Sequence, residues 1–398
     1  MKMDQENQVK SSNKNNVCNR ILSIIWAVVC TIGSATAQEY ISYGVEREMP
    51  AFLNEIKEEL TYPMAWGNSD IKDFNVWRDS ARSVLKDAML APPPAPVDFN
   101  PELIAEEKRD GYTAKKIRLN ISKYTRADVL MLLPDAPGPH PGVVLLHDHG
   151  GHFFIGKEKM IKPFDVDSAV IKDADMWVDQ CYGGQYVGDY LASKGYAVIS
   201  ADAIFWGDRG RKEGVNKAKL SEFAGNLMGL GRCLSGIMTH EDSYLTEFFA
   251  SLPEVDEDKV GCMGFSMGAY RAWMLSAFTD RIKTGAAICW MTVTDSQFSW
   301  EHGRENGGYA NTLPSIRLYM DHPHIASIAC PKPMLFINGK TDKLFHPSGV
   351  EESFNVMHNV WKSQNVDEKL STMIWDMPHY CGPEVQEEIN TFFDKWLK

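Results

Sequence analysis

The feature that most constrains the fold is Gly264-Phe265-Ser266-Met267-Gly268, a G-x-S-x-G motif. The apolar run Lys259 to Met263 before it predicts a buried strand, and Tyr270 to Phe278 after it predicts a helix. A sharp strand-to-helix turn leaves little room around the serine, so glycines must flank it. Such a turn presents the Ser266 hydroxyl as a nucleophile and aims the Met267 N–H at a developing oxyanion. The alternative is an ordinary tight-turn serine.

The rest of the chain supplies apolar strand candidates that alternate with helix candidates, from residue 113 to the C-terminus. Buried strands in this alternation favour a mainly parallel sheet of about eight strands, with helices on both faces. Before it, Met49 to Leu60 and Asn75 to Leu90 are predicted helices. The segments 151–182 and 296–330 do not fit the alternation. We interpret them as insertions near strand ends that shape a pocket.

A serine hydroxyl needs a base to take its proton, and the base needs an acid to hold it. In such sheets the partners follow later strands, in the order Ser, Asp or Glu, His. Asp342 follows the strand Pro333 to Ile337, and His379 follows the strand Ser371 to Trp375. The sequence therefore predicts a triad of Ser266, Asp342 and His379. Asp295 is the alternative acid.

A third pattern follows the buried strand Gly142 to Leu146 and reads His147-Asp148-His149-Gly150-Gly151-His152. This loop is the usual source of a second oxyanion N–H, and its glycines let the backbone approach a substrate oxygen. We expect the N–H of His149 to pair with that of Met267. The alternative is a metal site of His147, Asp148, His149 and His152. Adjacent residues point in opposite directions, so we expect no metal. No C-x-x-C pair is present, and no cofactor is expected.

Two tryptophans near strand ends are candidate substrate contacts. Trp206 lies in the loop Phe205 to Arg211, and Trp290 ends the strand Thr284 to Met291. An aromatic ring there is able to stack on a sugar face. The alternatives are an ion-paired loop around Trp206 and a buried lid core around Trp290.

The N-terminus reads as a signal peptide. Residues 1–20 are polar and basic, Ile21 to Ile32 is an apolar run too short to span a bilayer, and Ser34-Ala-Thr-Ala37 provides a cleavage site. An N-terminal membrane anchor is the alternative. We expect residues 1–37 to be removed, 38–110 to form a helical or irregular extension, and 111–398 to form the catalytic domain. The expected location is outside the cytoplasm, in the periplasm or secreted.

The charge balance limits the partners. The net charge is −12, and without residues 1–37 there are 37 Lys and Arg against 51 Asp and Glu, or −14. Such a chain without a basic run binds polyanions poorly, so nucleic acid is not an expected partner. After residue 37 no apolar run approaches 18 residues, and no stable membrane insertion is expected.

The segments His240 to Gly261, Gly264 to Gly268, Ile328 to Met334 and Gly339 to Asp342 resemble the dienelactone hydrolase-like branch of the α/β-hydrolase fold. Within it, the chain is most similar to exported bacterial acetyl xylan esterase-like proteins. The resemblance covers about residues 110–398 and implies the roles already given to Ser266, Asp342 and His379. Dienelactone hydrolases proper use a cysteine where this chain has Ser266. The motif also lacks the Arg and Lys that mark glucuronoyl esterases.

These observations predict an exported serine carboxylesterase that works through an acyl-enzyme. The resemblance implies an oligosaccharide or small-molecule ester as substrate, including acetyl groups on plant polysaccharide. One alternative is a peptidase of the prolyl oligopeptidase type, although no propeller repeat is visible. Another is a non-catalytic carbohydrate-binding protein on a hydrolase scaffold.

Overall fold

The computed structural model describes residues 44–46, 49–300 and 308–398. The predicted signal peptide lies outside these residues. The chain divides into two units, Met1–Phe52 and Leu53–Lys398. In the described part of the first, two short strands pair antiparallel, with Val45 opposite Pro50 and Glu46 opposite Met49. The second unit carries the sheet and the helices.

The described strands are β1 Val45–Glu46, β2 Met49–Pro50, β3 Glu102–Arg109, β4 Tyr112–Asn120, β5 Arg126–Pro134, β6 His140–Leu146, β7 Ala197–Ala201, β8 Val255–Phe265, β9 Thr284–Ile288, β10 Met334–Gly339 and β11 Leu370–Trp375. The described α-helices are α1 Leu53–Glu58, α2 Phe74–Ala88, α3 Ser168–Tyr182, α4 Val187–Ser193, α5 Lys217–Gly229, α6 Leu234–Ala250, α7 Met267–Phe278, α8 Thr294–Gln297, α9 His322–Ala326, α10 Pro347–Ser363 and α11 Pro383–Trp396. Short 3-10 helices include Lys157–Lys159 and Gly207–Arg209.

Strands β3 to β11 form one sheet of nine strands in the order β11-β10-β9-β8-β6-β7-β5-β4-β3. The six strands from β11 to β7 run parallel, and β5, β4 and β3 continue the sheet antiparallel. The mainly parallel α/β fold expected from the sequence is thus confirmed, with one strand more than predicted.

The two faces of the sheet bury alternate side chains of each strand. In β10, Leu335 and Ile337 join one apolar cluster, while Met334 and Phe336 join another on the opposite face. The first cluster includes side chains of α3, α4 and α11, and the second those of α2, α7 and α10. Helices therefore cover both faces, as the near-continuous apolar runs of the strands require.

The topology produces a crevice where the strand order reverses. From β6 the chain crosses to β7 on one side and then to β8 on the other, so β6 lies between β7 and β8. Leu146, which ends β6, is paired with Gly264 near the end of β8. Ligands of open α/β sheets bind at the carboxyl ends of strands at such a switch point. The loop at His149 and the turn at Ser266 both start from this edge.

The structure differs from the sequence analysis in the region 38–110. Glu102–Arg109, which we assigned to the extension, is the edge strand β3, and a hairpin joins it to β4. Its side chains are largely exposed and charged, so it lacks the apolar pattern of a buried strand. The helix predicted from Met49 to Leu60 is also shorter. Pro50 sits in a strand, and only Leu53–Glu58 is helical, because proline disfavours helix at the residue before it.

Within the second unit, α2 packs on the core of the sheet. Asp73 caps this helix by accepting a hydrogen bond from the N–H of Val76 at 3.0 Å. Trp77, Ala81 and Leu85 are spaced four residues apart and are fully buried in the cluster that also holds α7. Among the described residues, no helix is long and apolar enough to cross a membrane.

Candidate active site

Ser266 lies on a strained turn between β8 and α7. Its φ of 57° and ψ of −124° are unfavourable for a residue with a side chain, and its N–H donates to the carbonyl oxygen of Ile288 at 2.8 Å. A Cβ on Gly264 would lie 2.0 Å from the carbonyl oxygen of Gly268. A Cβ on Gly268 would lie 1.8 Å from the carbonyl oxygen of Leu146. Both motif glycines are therefore required by the backbone around the serine.

The structure brings Asp342 and His379 together at this edge of the sheet. Nδ1 of His379 lies 2.7 Å from Oδ2 of Asp342. The carboxylate accepts, so Nδ1 carries the proton and Nε2 is left as the basic atom. The other carboxylate oxygen accepts from the N–H of Leu344 at 2.8 Å. The imidazole packs against the ring of Phe265, with 4.7 Å between centroids, and thus lies beside the residue that precedes Ser266.

Asp295, the alternative acid, is placed elsewhere. It lies in α8, its side chain is 75% exposed, and Lys57 approaches its carboxylate at 3.5 Å. The Asp342 side chain, by contrast, is fully buried. A buried carboxylate holds an imidazole more firmly than an exposed one, because water competes less for its oxygens. The geometry therefore favours Asp342.

Cys289 is a neighbour of the pair that the sequence analysis missed. Its sulfur and the ligand atoms of Asp342 and His379 all lie within 4.8 Å of one another. Cys289 directly follows β9 with a φ of 59°, and its thiol donates to the carbonyl oxygen of Tyr380. Burial and the Asp342 carboxylate raise the pKa of this thiol to about 12. It is thus a neutral neighbour of the pair.

The loop after β6 contains two adjacent glycines in the left-handed region. Gly150 and Gly151 have φ values of 58° and 63°, which glycine adopts readily. A Cβ on Gly150 would lie 2.3 Å from the ring of Trp177. The N–H of Gly151 donates to Nδ1 of His149 at 2.9 Å. Met267 is the first residue of α7, where the N–H has no partner within the helix.

A buried ion pair between Lys159 and Asp148 packs against the loop after β6. Lys159 and Asp148 are both essentially inaccessible to solvent, and the ammonium lies 3.2 Å from Oδ1 of Asp148. The ammonium also donates to the carbonyl oxygen of His149 at 3.3 Å. Tyr182 and Trp177 donate to the other carboxylate oxygen at 2.8 and 3.2 Å. We name these four side chains the loop anchor.

Burial disfavours charge throughout this region. It lowers the pKa of Lys159, while the Asp148 carboxylate acts in the opposite direction. It also lowers the pKa of His149 to about 4, and the charges of Lys159 and Lys217 add to this effect. His147 is fully buried, and burial holds its pKa well below the usual value. Its Nε2 accepts from the N–H of Ala203 at 3.0 Å, so this imidazole is neutral.

The side chains proposed for the alternative metal site have separate partners. His147 bonds to backbone groups, and the Asp148 carboxylate belongs to the loop anchor. Nδ1 of His149 accepts from the N–H of Gly151, and His152 pairs with Asp173 at 2.5 Å. These side chains therefore do not converge on one ion.

A different acidic group lies nearby, where Glu158, Asp202 and Asp208 bring one oxygen each within 4.8 Å of the others. The ammonium of Lys157 lies among them, 2.6 to 2.9 Å from all three carboxylates. Burial raises the pKa of Asp202 to about 6, against the effect of Lys157. Lys157 thus occupies the position where a cation would bind, and the group ties the loop after β7 to the segment after β6.

Neither tryptophan predicted to contact substrate is exposed. Trp206 is fully buried, and its Nε1 donates to the carbonyl oxygen of His149 in the loop after β6 at 3.2 Å. Trp290 is 3% exposed and packs against Tyr270 and His322. Large aromatic rings gain most free energy when buried, and both serve as core here. The loop at Trp206 is ion-paired, with Arg209 on Glu241 at 2.7 Å.

Family comparison agrees with this geometry. A model of the Abhydrolase family matches residues 23–359. The chain belongs to this family. The matched range contains Ser266 and Asp342, and His379 lies beyond it. Membership of the abhydrolases confirms the α/β-hydrolase resemblance stated from the sequence motifs.

Relatives and solved structures extend the comparison. YtaP of Bacillus subtilis (strain 168), named as a candidate hydrolase, is 25% identical over 298 residues, which cover 74% of this chain and 92% of YtaP. A Bacteroides fragilis protein named as a candidate acetyl xylan esterase superposes with a TM-score of 0.64 at 17% identity, and 81% of each chain is covered. A glucuronoyl esterase from Solibacter usitatus superposes with a TM-score of 0.61 at 13% identity, covering 83% of this chain and 96% of that one. At these identities the structural likeness shows the abhydrolase fold.

Proposed function

We propose that this abhydrolase is a serine carboxylesterase in which Ser266, His379 and Asp342 form the catalytic triad. The observation that carries the proposal is the 2.7 Å hydrogen bond from His379 to the buried Asp342, at the sheet edge that also holds the strained Ser266 turn. A serine that served only to form a tight turn would not require a histidine held by a buried carboxylate at the same edge. The arrangement matches the order and roles of a nucleophile, a base and an acid.

In the proposed reaction, Nε2 of His379 takes the proton of Ser266 while Oγ bonds to the ester carbonyl carbon. The alcohol leaves with the proton from His379, and an acyl-enzyme remains. Water then attacks the acyl carbon, gives a proton to His379, and releases the acid as Ser266 regains its own. The N–H groups of Met267 and His149 stabilise the oxyanion in both steps, each contributing about 3 kcal/mol. The chemistry needs no cofactor.

For the substrate, we propose an ester on a carbohydrate, including acetyl groups of plant polysaccharide. The names of two structural neighbours, an acetyl xylan esterase and a glucuronoyl esterase, support a carbohydrate ester. A groove of about 530 Å³ is lined by residues 375–378, 380, 384 and 385, which include the neighbours of His379 in the chain. Trp375 and Tyr380 offer aromatic surface there, and Asp376 and Glu384 offer hydrogen-bond acceptors. This combination suits a sugar alcohol as the leaving group.

We also propose that the protein is exported. The support is the N-terminal sequence, with a basic segment, an apolar run of twelve residues and the Ala35-Thr36-Ala37 cleavage site. Polysaccharide esters are too large to enter a cell, so an enzyme acting on them works outside the cytoplasm. Sequencing the N-terminus of the protein recovered from its native host tests this proposal, and a start at Gln38 is expected.

Covalent labelling tests the nucleophile. A fluorophosphonate probe is expected to label the wild-type protein and not Ser266→Ala, since only an activated serine displaces the fluoride. Ser276→Ala, at a buried serine in α7, is the matched control and is expected to label as wild type. A folded wild-type protein that resists the probe would contradict the mechanism and favour a carbohydrate-binding protein. Turnover of p-nitrophenyl acetate, and not of a prolyl anilide, separates an esterase from a peptidase.

A further inference from the structure

A second groove lies beside the oxyanion loop and is not used by the triad. It has a volume of about 610 Å³ and is lined by residues 151–154 and 215–218. The first segment continues directly from His149, whose N–H is proposed to bind the oxyanion. The second is the start of α5. The groove is open to solvent and therefore accessible to a ligand.

Lys217 supplies the positive charge of this groove. Its side chain lies close to Gly151, because a Cβ on Gly151 would lie 3.3 Å from its Cε. Its ammonium is close enough to His149 to help lower the pKa of that imidazole. Lys217 is exposed, and within 44–46, 49–300 and 308–398 no carboxylate lies within ion-pair distance of its ammonium. The chain as a whole has a net charge of −12. An unpaired cation in an acidic protein is a site of local attraction for an anion.

The groove connects to the nucleophile through shared packing. Phe153 and Met267 belong to one buried cluster, and Val215 packs against it. Phe153 and Val215 also line the groove, so the groove and Met267 adjoin the same apolar cluster. In the proposed reaction the alcohol leaves towards His379, from which it receives its proton. The acyl portion stays on Ser266, the residue next to Met267.

We propose that this groove is a subsite for the acyl portion of the ester and that Lys217 binds a carboxylate carried by it. Phe153, Phe154 and Val215 contact the apolar part of the acyl chain, and the ammonium of Lys217 pairs with its charged end. The subsite rests on the proposed serine esterase function. It serves esters whose acyl portion is longer than acetyl, and for these Lys217 determines substrate specificity.

Two esters of equal chain length test the subsite. The mono-p-nitrophenyl ester of glutaric acid has a free carboxylate where p-nitrophenyl pentanoate has a methyl group. The readout is the ratio of kcat/KM for the first ester to that for the second. Lys217→Gln is expected to lower this ratio by about fivefold, the effect of one partly exposed ion pair. Lys217→Glu is expected to lower this ratio further. Added salt is expected to lower the ratio of the wild type but not that of Lys217→Gln, which has no charge to screen.

Lys219→Gln is the matched control. Lys219 is also exposed at the start of α5, but its ammonium donates to the carbonyl oxygen of Glu213 at 2.5 Å, and it does not line the groove. Its ratio is expected to equal that of wild type. An unchanged ratio in Lys217→Gln, or an equal loss in Lys219→Gln, overturns the subsite while both esters are still hydrolysed. Loss of all hydrolysis in wild type instead overturns the esterase function on which it rests.

Discussion

Nδ1 of His379 donates to Oδ2 of Asp342 across 2.7 Å, although the two residues follow different strands and stand 37 positions apart in the chain. The pairing arises because β10 and β11 are parallel neighbours, with Gly339 opposite Trp375, so the loops after both strands emerge at the same edge. This register brings the side chains of Asp342 and His379 within hydrogen-bond distance.

Removing the acid tests this relationship. Asp342→Asn is expected to lower kcat for p-nitrophenyl acetate by about ten-thousandfold, because an amide stabilises the wrong tautomer of His379. Asp295→Asn is the matched control, since that carboxylate is exposed and pairs with Lys57. Steady-state kinetics on both variants decides between the acids, and a large loss in Asp295→Asn alone would reverse the assignment.

The loop anchor is expected to be a major source of stability. Lys159→Met leaves the buried Asp148 carboxylate without its cation and is expected to lower the unfolding free energy by about 3–5 kcal/mol. Urea denaturation measures the change. Lys108→Met provides the comparison, because Lys108 is 70% exposed and its pairing with Asp135 at 3.0 Å is screened by water, so a much smaller effect is expected. Equal effects of the two substitutions would contradict a structural role for the anchor.

The motif glycine Gly268 is expected to tolerate no side chain. In Gly268→Ala the new methyl group would meet the carbonyl oxygen of Leu146, so β6 and α7 must separate. We expect a loss of more than about 3 kcal/mol in thermal unfolding and loss of ester turnover. Gly225→Ala in the exposed part of α5 meets no atom within 4 Å and is expected to stabilise by about 0.5–1 kcal/mol. A stable, active Gly268→Ala protein would show that the turn can shift to accept a methyl group, contrary to the close contact with Leu146.

The buried His149 is expected to make stability depend on pH. Its folded pKa of about 4 is below the unfolded value of 6.5, so below pH 6.5 the unfolded chain binds a proton that the folded protein does not. The stabilisation is present above pH 6.5 and is lost as the pH falls towards 4. Between pH 7 and pH 5 the wild type is expected to lose about 2 kcal/mol from this group. Urea denaturation at both values should show a smaller loss in His149→Asn, and an identical loss would exclude the contribution of His149.

Much of the fold could be predicted because its signals are local. Apolar strand runs, glycines that flank a serine, and residues that follow strand ends all appear within short windows of sequence. The strand β3 could not be predicted from an apolar pattern, because an edge strand need not be apolar and residues 102–109 are mostly exposed and charged. Helix α1 begins later than the apolar pattern predicts, because Pro50 disfavours helix at the residue before it.

The candidate site was predictable to a lesser degree. Ser266, Asp342 and His379 could be named because each follows a recognisable strand. The anchor residues Lys159 and Asp148 carry no such signal, since Lys and Asp are normally exposed and only the packing of 157–182 under the loop buries them. The burial of Trp206 and Trp290 could not be predicted for a related reason, because a position near a strand end does not reveal which side of the loop is covered.

The strand-turn-helix at Ser266, the parallel α/β architecture and the order of Ser266, Asp342 and His379 along the chain could be read from the sequence, because these depend on local patterning and on the chirality of strand-helix-strand connections. The folded structure was needed to show that Asp342 rather than Asp295 holds the imidazole and that a buried Lys159 supports the loop after β6. It was also needed to show that Lys217, among the described residues, has no carboxylate partner in the groove beside that loop. These relationships join residues from separate strands and loops, and their distances and burial exist only after the sheet has assembled.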